Sequence, residues 1–330
     1  MKGENRFGGT LTFVATALDP IHHGAGVEGN TQLLRTQDIV LEDGTPARVP
    51  FISGNSLKHL VRDGGVRYAL EVMGVPAGSL SKAVVDLLFS GGALTKSGSA
   101  VNLSQARELA EKFPIIAVCG YAAGNFMQAS KIRVGHIHLV CSENRWRLPE
   151  VLSESPQTAK RAAAFRGEEF GTRHESTNIQ QVFKLLTPGE QSHQLENKEG
   201  RKGKKKKESQ QMIYDFEVVL PGSRWFGDII FDDLTEMELA AMRSAMERAC
   251  IGKHGDDLVF HLGAKSSVGM GRMAFTFDGG LRESLSPPTY SPEEGIAPHK
   301  GDKDSDVMAA YVEHLRTHSE DIVKILSEVV

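Results

Sequence analysis

FISGNSLKHLVR, residues Phe51 to Arg62, runs from an apolar pair through Ser53-Gly54-Asn55-Ser56 into Leu57, Leu60 and Val61 at helical spacing. Small polar residues ahead of such a pattern mark a helix start, with Asn55 or Ser56 as the cap. The helix extends past Gly64-Gly65 to Tyr68 and Leu70. Lys58 and Arg62 stand one turn apart near its start, where free backbone amides bind phosphate. The plainer reading is a capped helix with a solvated lysine and arginine.

Upstream, TLTFVAT (10–16) alternates Leu11, Phe13 and Ala15 with polar neighbours, as a half-buried strand does. Pro20 and the loop His22-His23-Gly24-Ala25-Gly26 follow it. Downstream, helical patterns near Ser81–Leu88 and Ser104–Phe113 lie among many glycines and read as an inserted subdomain. Strand alternation returns over Lys131–Val140 and Gln211–Val219, the latter with Met212, Tyr214, Phe216 and Val218 on one side. The Pro221-Gly222 turn predicts that Trp225–Phe231 pairs back onto that second strand.

A helix then starts at Thr235 as cap, with Glu236 and Glu238 in its first turn, Leu239, Met242, Met246 and Ala249 as its apolar stripe, and Gly252 as its stop. A strand over Arg272–Phe277 closes the series. Strand, helix, strand, then strand, helix, strand is the order of an α+β, ferredoxin-like βαββαβ fold, here with large insertions. Residues 286–302, after Pro287-Pro288, read as a linker, and 303–330 as a C-terminal amphipathic helix carrying Val307, Tyr311, Leu315, Ile322, Leu326 and Val329. That helix docks on its own domain or on a partner.

Of 330 residues, 40% are hydrophobic and 24% charged, which supports a packed core and excludes global disorder. No apolar run approaches the roughly 20 residues of a membrane span, and the N-terminus lacks a signal-peptide pattern; a cytoplasmic protein that avoids membranes is expected. Cys119, Cys141 and Cys250 are far apart and form no C-x-x-C pair, so neither zinc nor a disulfide framework is suggested. The net charge of −4 hides an uneven distribution: Arg201–Lys207 (RKGKKKK) carries six positive charges in seven residues, while Glu293–Asp306 leans acidic.

Gly263–Met273 (GAKSSVGMGRM) joins glycines, whose backbone can approach a ligand closely, to Lys265, Ser266, Ser267 and Arg272. A P-loop is disfavoured, because the lysine precedes the glycines and a strand follows. The segment is a phosphate-facing loop or an ordinary turn. His22 and His23, and His136 with His138 on one strand face, lack metal-ligand spacing; no metal and no cofactor are expected. A weaker possibility makes His22 or His23 a general acid or base.

Together these pieces resemble the backbone subunits of CRISPR effector complexes in the RAMP superfamily. Phe51–Arg62 is similar to the family's PGSSLKG-x-x-R helix start, and Gly263–Met273 to its C-terminal glycine-rich loop. The resemblance spans residues 9–278 and is nearest the type IV branch, with type III as neighbour. It implies an RRM-like palm over 1–73, 126–170 and 211–285, a helical fingers insertion over 74–125, and a β-hairpin thumb over 171–210 that includes Arg173 to Asn178. It also implies partners: a CRISPR RNA, a target nucleic acid, further copies stacked in a helical filament, and capping effector subunits. By the resemblance, the RNA is held by His22, His23, Asn55, Ser56, Lys58, Arg62, Lys131, Arg133, Arg173, Asn178, Lys265, Ser266, Ser267 and Arg272. Type III relatives cut target RNA with an aspartate between the first strand and this helix. Here that segment reads TQLLRTQDIV (31–40), the position falls nearer Gln37 than Asp38, and a non-catalytic scaffold is expected. The alternative is a metal-dependent endoribonuclease using Asp38.

Overall fold

A computed structural model describes residues 6–92, 103–123, 126–173, 187–188, 212–277, 289–291, 295–297 and 302–329. The alternating N-terminal segment forms β1 (Phe7–Ala17), with Leu11, Phe13, Ala15 and Ala17 buried. His22 and His23 lie in the expected loop, but from Gly24 the chain is extended, as β2 (Gly24–Glu28), β3 (Thr31–Leu34), β4 (Thr36–Val40) and β5 (Pro46–Ile52). Helix α1 (Gly54–Met73) comes next, followed by α2 (Lys82–Ser90), α3 (Leu103–Lys112) and α4 (Pro114–Cys119). The pair β6 (Tyr121–Ala123) and β7 (Phe126–Gln128) precedes β8 (Ile132–Val134) and β9 (Ile137–Leu139). Then come β10 (Arg166–Arg173), β11 (Met212–Val219), β12 (Arg224–Leu234), α5 (Glu236–Ala249), β13 (Gly252–His254), β14 (Asp257–His261) and β15 (Arg272–Phe277). Helices α6 (Asp302–Thr317) and α7 (Ser319–Val329) end the chain.

The main sheet runs β13-β14-β15-β1-β12-β9-β5-β4, with β8 also on β12. At its centre β1 pairs antiparallel with β15 on one side and β12 on the other, Ala15 facing Phe275 and Trp225. With α1 after β1 and α5 after β12, the last, first, third and second strands of a βαββαβ unit lie side by side, which is the ferredoxin-like arrangement. One face buries Phe13, Phe275, Trp225 and Ile229 in the main core with α1 and α5. On the opposite face Val14 and Phe226 meet Val140, Leu148 and Leu152 from the turns that follow β9.

Two sequence expectations fail here. Strand β12 does not return onto β11. Instead β11 joins a second sheet, β10-β11-β3-β2, antiparallel to β10 and parallel to β3. After Pro221 the Gly222 amide donates to Ala17 O (2.7 Å), so the chain crosses into the main sheet rather than folding back. Segment 131–140 also splits into β8 and β9 at Gly135, whose amide donates to Asp228 O (3.2 Å).

The helix ends obey local chemistry. Ser53, rather than Asn55 or Ser56, caps α1, its hydroxyl accepting from Asn55 N–H (3.3 Å); Gly74 closes the helix in the left-handed region. Thr235 and Glu238 form a reciprocal capping box on α5, which stops at Ala249, so Gly252 belongs to β13 instead. The C-terminal segment is two helices broken at His318, and it docks on its own domain: Tyr311 is buried and stacks on Tyr68 of α1, with ring centroids 6.3 Å apart. Within 286–302, Thr289–Ser291 pairs with Gly295–Ala297. Most of 171–210, including Asn178 and the basic run, lies outside the described residues. Among the described residues no helix is long and apolar enough to cross a membrane.

Candidate nucleic-acid interface

The two glycine-bearing motifs, about 200 residues apart in sequence, meet through His22 and His23. On one side Ala264 N–H donates to His22 O (2.8 Å), and Gly271 N–H donates to Pro20 O (3.0 Å). Gly263 (φ +92°) lies so close that a Cβ would stand 2.7 Å from His22 O, which is why the position takes glycine. On the other side Ser53 N–H donates to His23 Nε2 (3.2 Å), and Gly54 N–H donates to His136 Nδ1 (3.4 Å). A hydrogen-bonded strip therefore joins the glycine loop through the histidine pair to the start of α1, with His22 beneath its surface.

This geometry corrects the reading of the α1 start as a row of free amides. Ser53 and Gly54 N–H go to imidazoles, Asn55 N–H to Ser53 Oγ, and Ser56 N–H to Ser53 O (2.9 Å). What this end of the strip offers a ligand is side chains: exposed Asn55, and half-buried Ser56 and Lys58. Burial pulls the Lys58 ammonium below its usual pKa, the Cys119 thiol beside it acts the other way, and nearby Arg62 pulls it down further.

Arg62 does not reach this surface. It is 8% exposed, and its guanidinium donates to Leu88 O (3.4 Å), Cys119 O (2.9 Å) and Gly120 O (2.5 Å), tying α1 to α2 and α4. His22 is likewise interior, at 1% exposed, its Nδ1 2.8 Å from Glu217 O of β11. Lys131 is engaged by Glu238 (2.7 Å) and Asp233 O (3.0 Å). Arg133 projects from β8 as an exposed side chain, 3.9 Å from Asp232.

In the glycine loop Ser266 and Ser267 are exposed, and Arg272 forms a two-pronged pair with Asp19 (2.7 and 2.9 Å) that holds the aspartate below its usual pKa. Lys265 adopts φ +68°, and its ammonium lies 4.7 Å from the Phe216 ring centroid and 5.7 Å from that of Tyr214. Arg173 ends β10, opposite Met212 of β11.

His23 and His138 are neutral at physiological pH. Burial lowers each to about 4, helped by Arg35 and His22 at the first and by Arg147 at the second, and by His136 at both. The Ser53 amide fixes His23 Nε2 as an acceptor, which leaves Nδ1 to carry the proton. Sequence reasoning missed Arg35, exposed at the junction of β3 and β4, whose amide donates to His23 O (2.7 Å); the later return of the chain to His23 is not visible in local pattern. Asp38 sits on β4, exposed, with its carboxylate 3.1 Å from Arg48 Nε. Among the described residues no three or more His, Cys, Asp or Glu side chains gather as a metal site.

The family model of the RAMP superfamily matches residues 14–274. Among solved structures the chain is similar to one described as "Type IV-B CRISPR Complex", at 19% identity and a TM-score of 0.50, covering 86% of this chain and 95% of that one. At that identity the likeness speaks for the fold. No curated protein matches.

Proposed function

The chain belongs to the RAMP superfamily, and from that premise we propose that it is a non-catalytic, CRISPR RNA-binding backbone subunit of an effector ribonucleoprotein, nearest the type IV kind. Copies assemble along the guide RNA, present it for pairing with a target nucleic acid, and meet capping subunits at the filament ends. The insertion bearing α2–α4 serves as fingers and 171–210 as a thumb, its basic run drawn to phosphate.

The observation that carries this reading is the strip in which His22 and His23 join the glycine loop to the α1 start. Along it Lys265, Ser266, Ser267, Asn55 and Lys58 supply charge and hydroxyl or amide groups suited to a phosphodiester backbone. Backbone contacts hold any guide sequence, and base pairing supplies the specificity.

The test is co-expression with the neighbouring operon, followed by sizing, the 260/280 nm absorbance ratio and sequencing of bound RNA. A multimer carrying repeat-derived RNA is expected; a nucleic-acid-free monomer overturns the proposal. Incubation of the same preparation with complementary RNA and Mg²⁺ tests the non-catalytic part. Regularly spaced cuts that vanish in Asp38→Ala would replace the scaffold with a nuclease.

A further inference from the structure

Lys265 is one of two described residues other than glycine with positive φ, the other being Asp233. Left-handed backbone at a lysine is disfavoured by its Cβ and persists only where the surroundings impose it. The surroundings here are explicit. Val268 and Met270 N–H both donate to Lys265 O (3.0 and 3.3 Å), closing a tight turn. Met270 packs with Phe216, Val218 and Tyr214 of β11, which anchors the loop on the second sheet. The Lys265 ammonium then lies over the two β11 rings, within cation–π range of both. Tyr214 and Phe216 meet edge to face at 5.0 Å, and His22 sets its ring edge-on to Phe216 at 5.7 Å. Among the described residues no carboxylate takes this ammonium.

We propose that Tyr214 and Phe216 are positioning residues: their rings fix the Lys265 ammonium in place before RNA arrives, so that a phosphate meets a preset charge. The inference rests on the RNA-binding reading above. A free lysine side chain loses rotamer freedom when it grips phosphate; one already held over two rings loses less, and its N–H donors directed away from the rings stay available. Arg272 contrasts with it, since its guanidinium is already paired with Asp19. The cradle also couples the glycine loop to β11, the strand that follows the basic run in sequence.

The experiment is a double-mutant cycle read by RNA affinity as a function of salt. Lys265→Asn keeps a residue that tolerates left-handed backbone while removing the charge; it is expected to lower the salt slope by about 0.7 to 1. Phe216→Leu and Tyr214→Leu keep apolar bulk but remove the ring faces; each is expected to weaken binding about two- to fivefold in the wild-type background, with the salt slope retained. In the Lys265→Asn background both ring substitutions should have no further effect on affinity. Tyr214→Phe, which keeps the ring, should bind like wild type. Equal losses from the ring substitutions in both backgrounds would mean the rings act only through general stability, and the inference falls. Wild-type protein that binds no RNA overturns the functional reading instead, so the two failures are distinguishable.

Discussion

Arg62 and Lys58 are neighbours on one helix with opposite fates. Arg62 spends its charge on three backbone carbonyls in the interior, and Arg62→Met would strand them without donors. A stability loss of about 3 kcal/mol is expected, measured by urea unfolding, while any RNA-binding salt slope stays unchanged. Lys58→Ala should do the reverse: near-native stability and a salt slope lower by about one unit. His23 makes the same point through pH. Its pKa falls from 6.5 to about 4 on folding, so between those values the unfolded chain binds more protons and stability rises with pH. The contribution is fully present above about 6.5 and drains away as pH drops toward 4. His138 behaves alike. Urea midpoints at pH 7 and pH 5 should therefore differ, and His23→Gln should narrow the gap; an unchanged gap would show that His23 is not the titrating group.

Helices were legible because their signals are local. The Thr235–Glu238 box and the stripe on α5 are visible as spacing alone, and so is the alternation of β1. The strand partner of β11 was not, because a Pro-Gly pair marks a change of direction without saying which sheet receives the chain. Strand β2, the first of the four between β1 and α1, is hidden for a related reason: glycine-rich and exposed, it has no buried face to advertise. Within the candidate interface the motifs are readable in the sequence, but which cations are free is not. The burial of Arg62 depends on α2 and α4, and the fate of the α1 amides on imidazoles from two other segments. Packing between elements also explains Gly64, where α1 crosses α5 and a Cβ would run into the Ala245 carbonyl oxygen. Gly64→Ala gains about 1 kcal/mol in helix propensity, yet it must push two helices apart. A net loss of about 1 to 3 kcal/mol is expected, and a thermal melt that rises instead would mean the crossing is looser than it looks.

At the scale of the whole molecule, the C-terminal helices decide where the folding unit ends. The family match stops at residue 274, and the sequence alone leaves open whether an amphipathic helix beyond it covers this domain or waits for a partner. The structure seats α6 on α5 and α1, and α7 on α3, burying Met308, Tyr311, Leu315, Ile322, Ile325 and Leu326. Lys112 of α3 pairs with Asp321 (2.6 Å), and Gln105 with Glu328 (2.8 Å), across the same contact. Removing the two helices would uncover the apolar faces of α1, α3 and α5 that they pack against, in a domain whose net stability is typically only about 5 to 15 kcal/mol. Truncation after residue 300 should consequently leave a chain that unfolds or aggregates at ordinary temperature. A milder variant keeps the argument testable if that protein is insoluble: Tyr311→Ala removes the ring stacked on Tyr68 and should cost about 3 to 5 kcal/mol, with hydrogen exchange rising in α5 and α1 together. If the helices instead belonged to a partner, the truncated chain would keep its melting temperature and lose only an association.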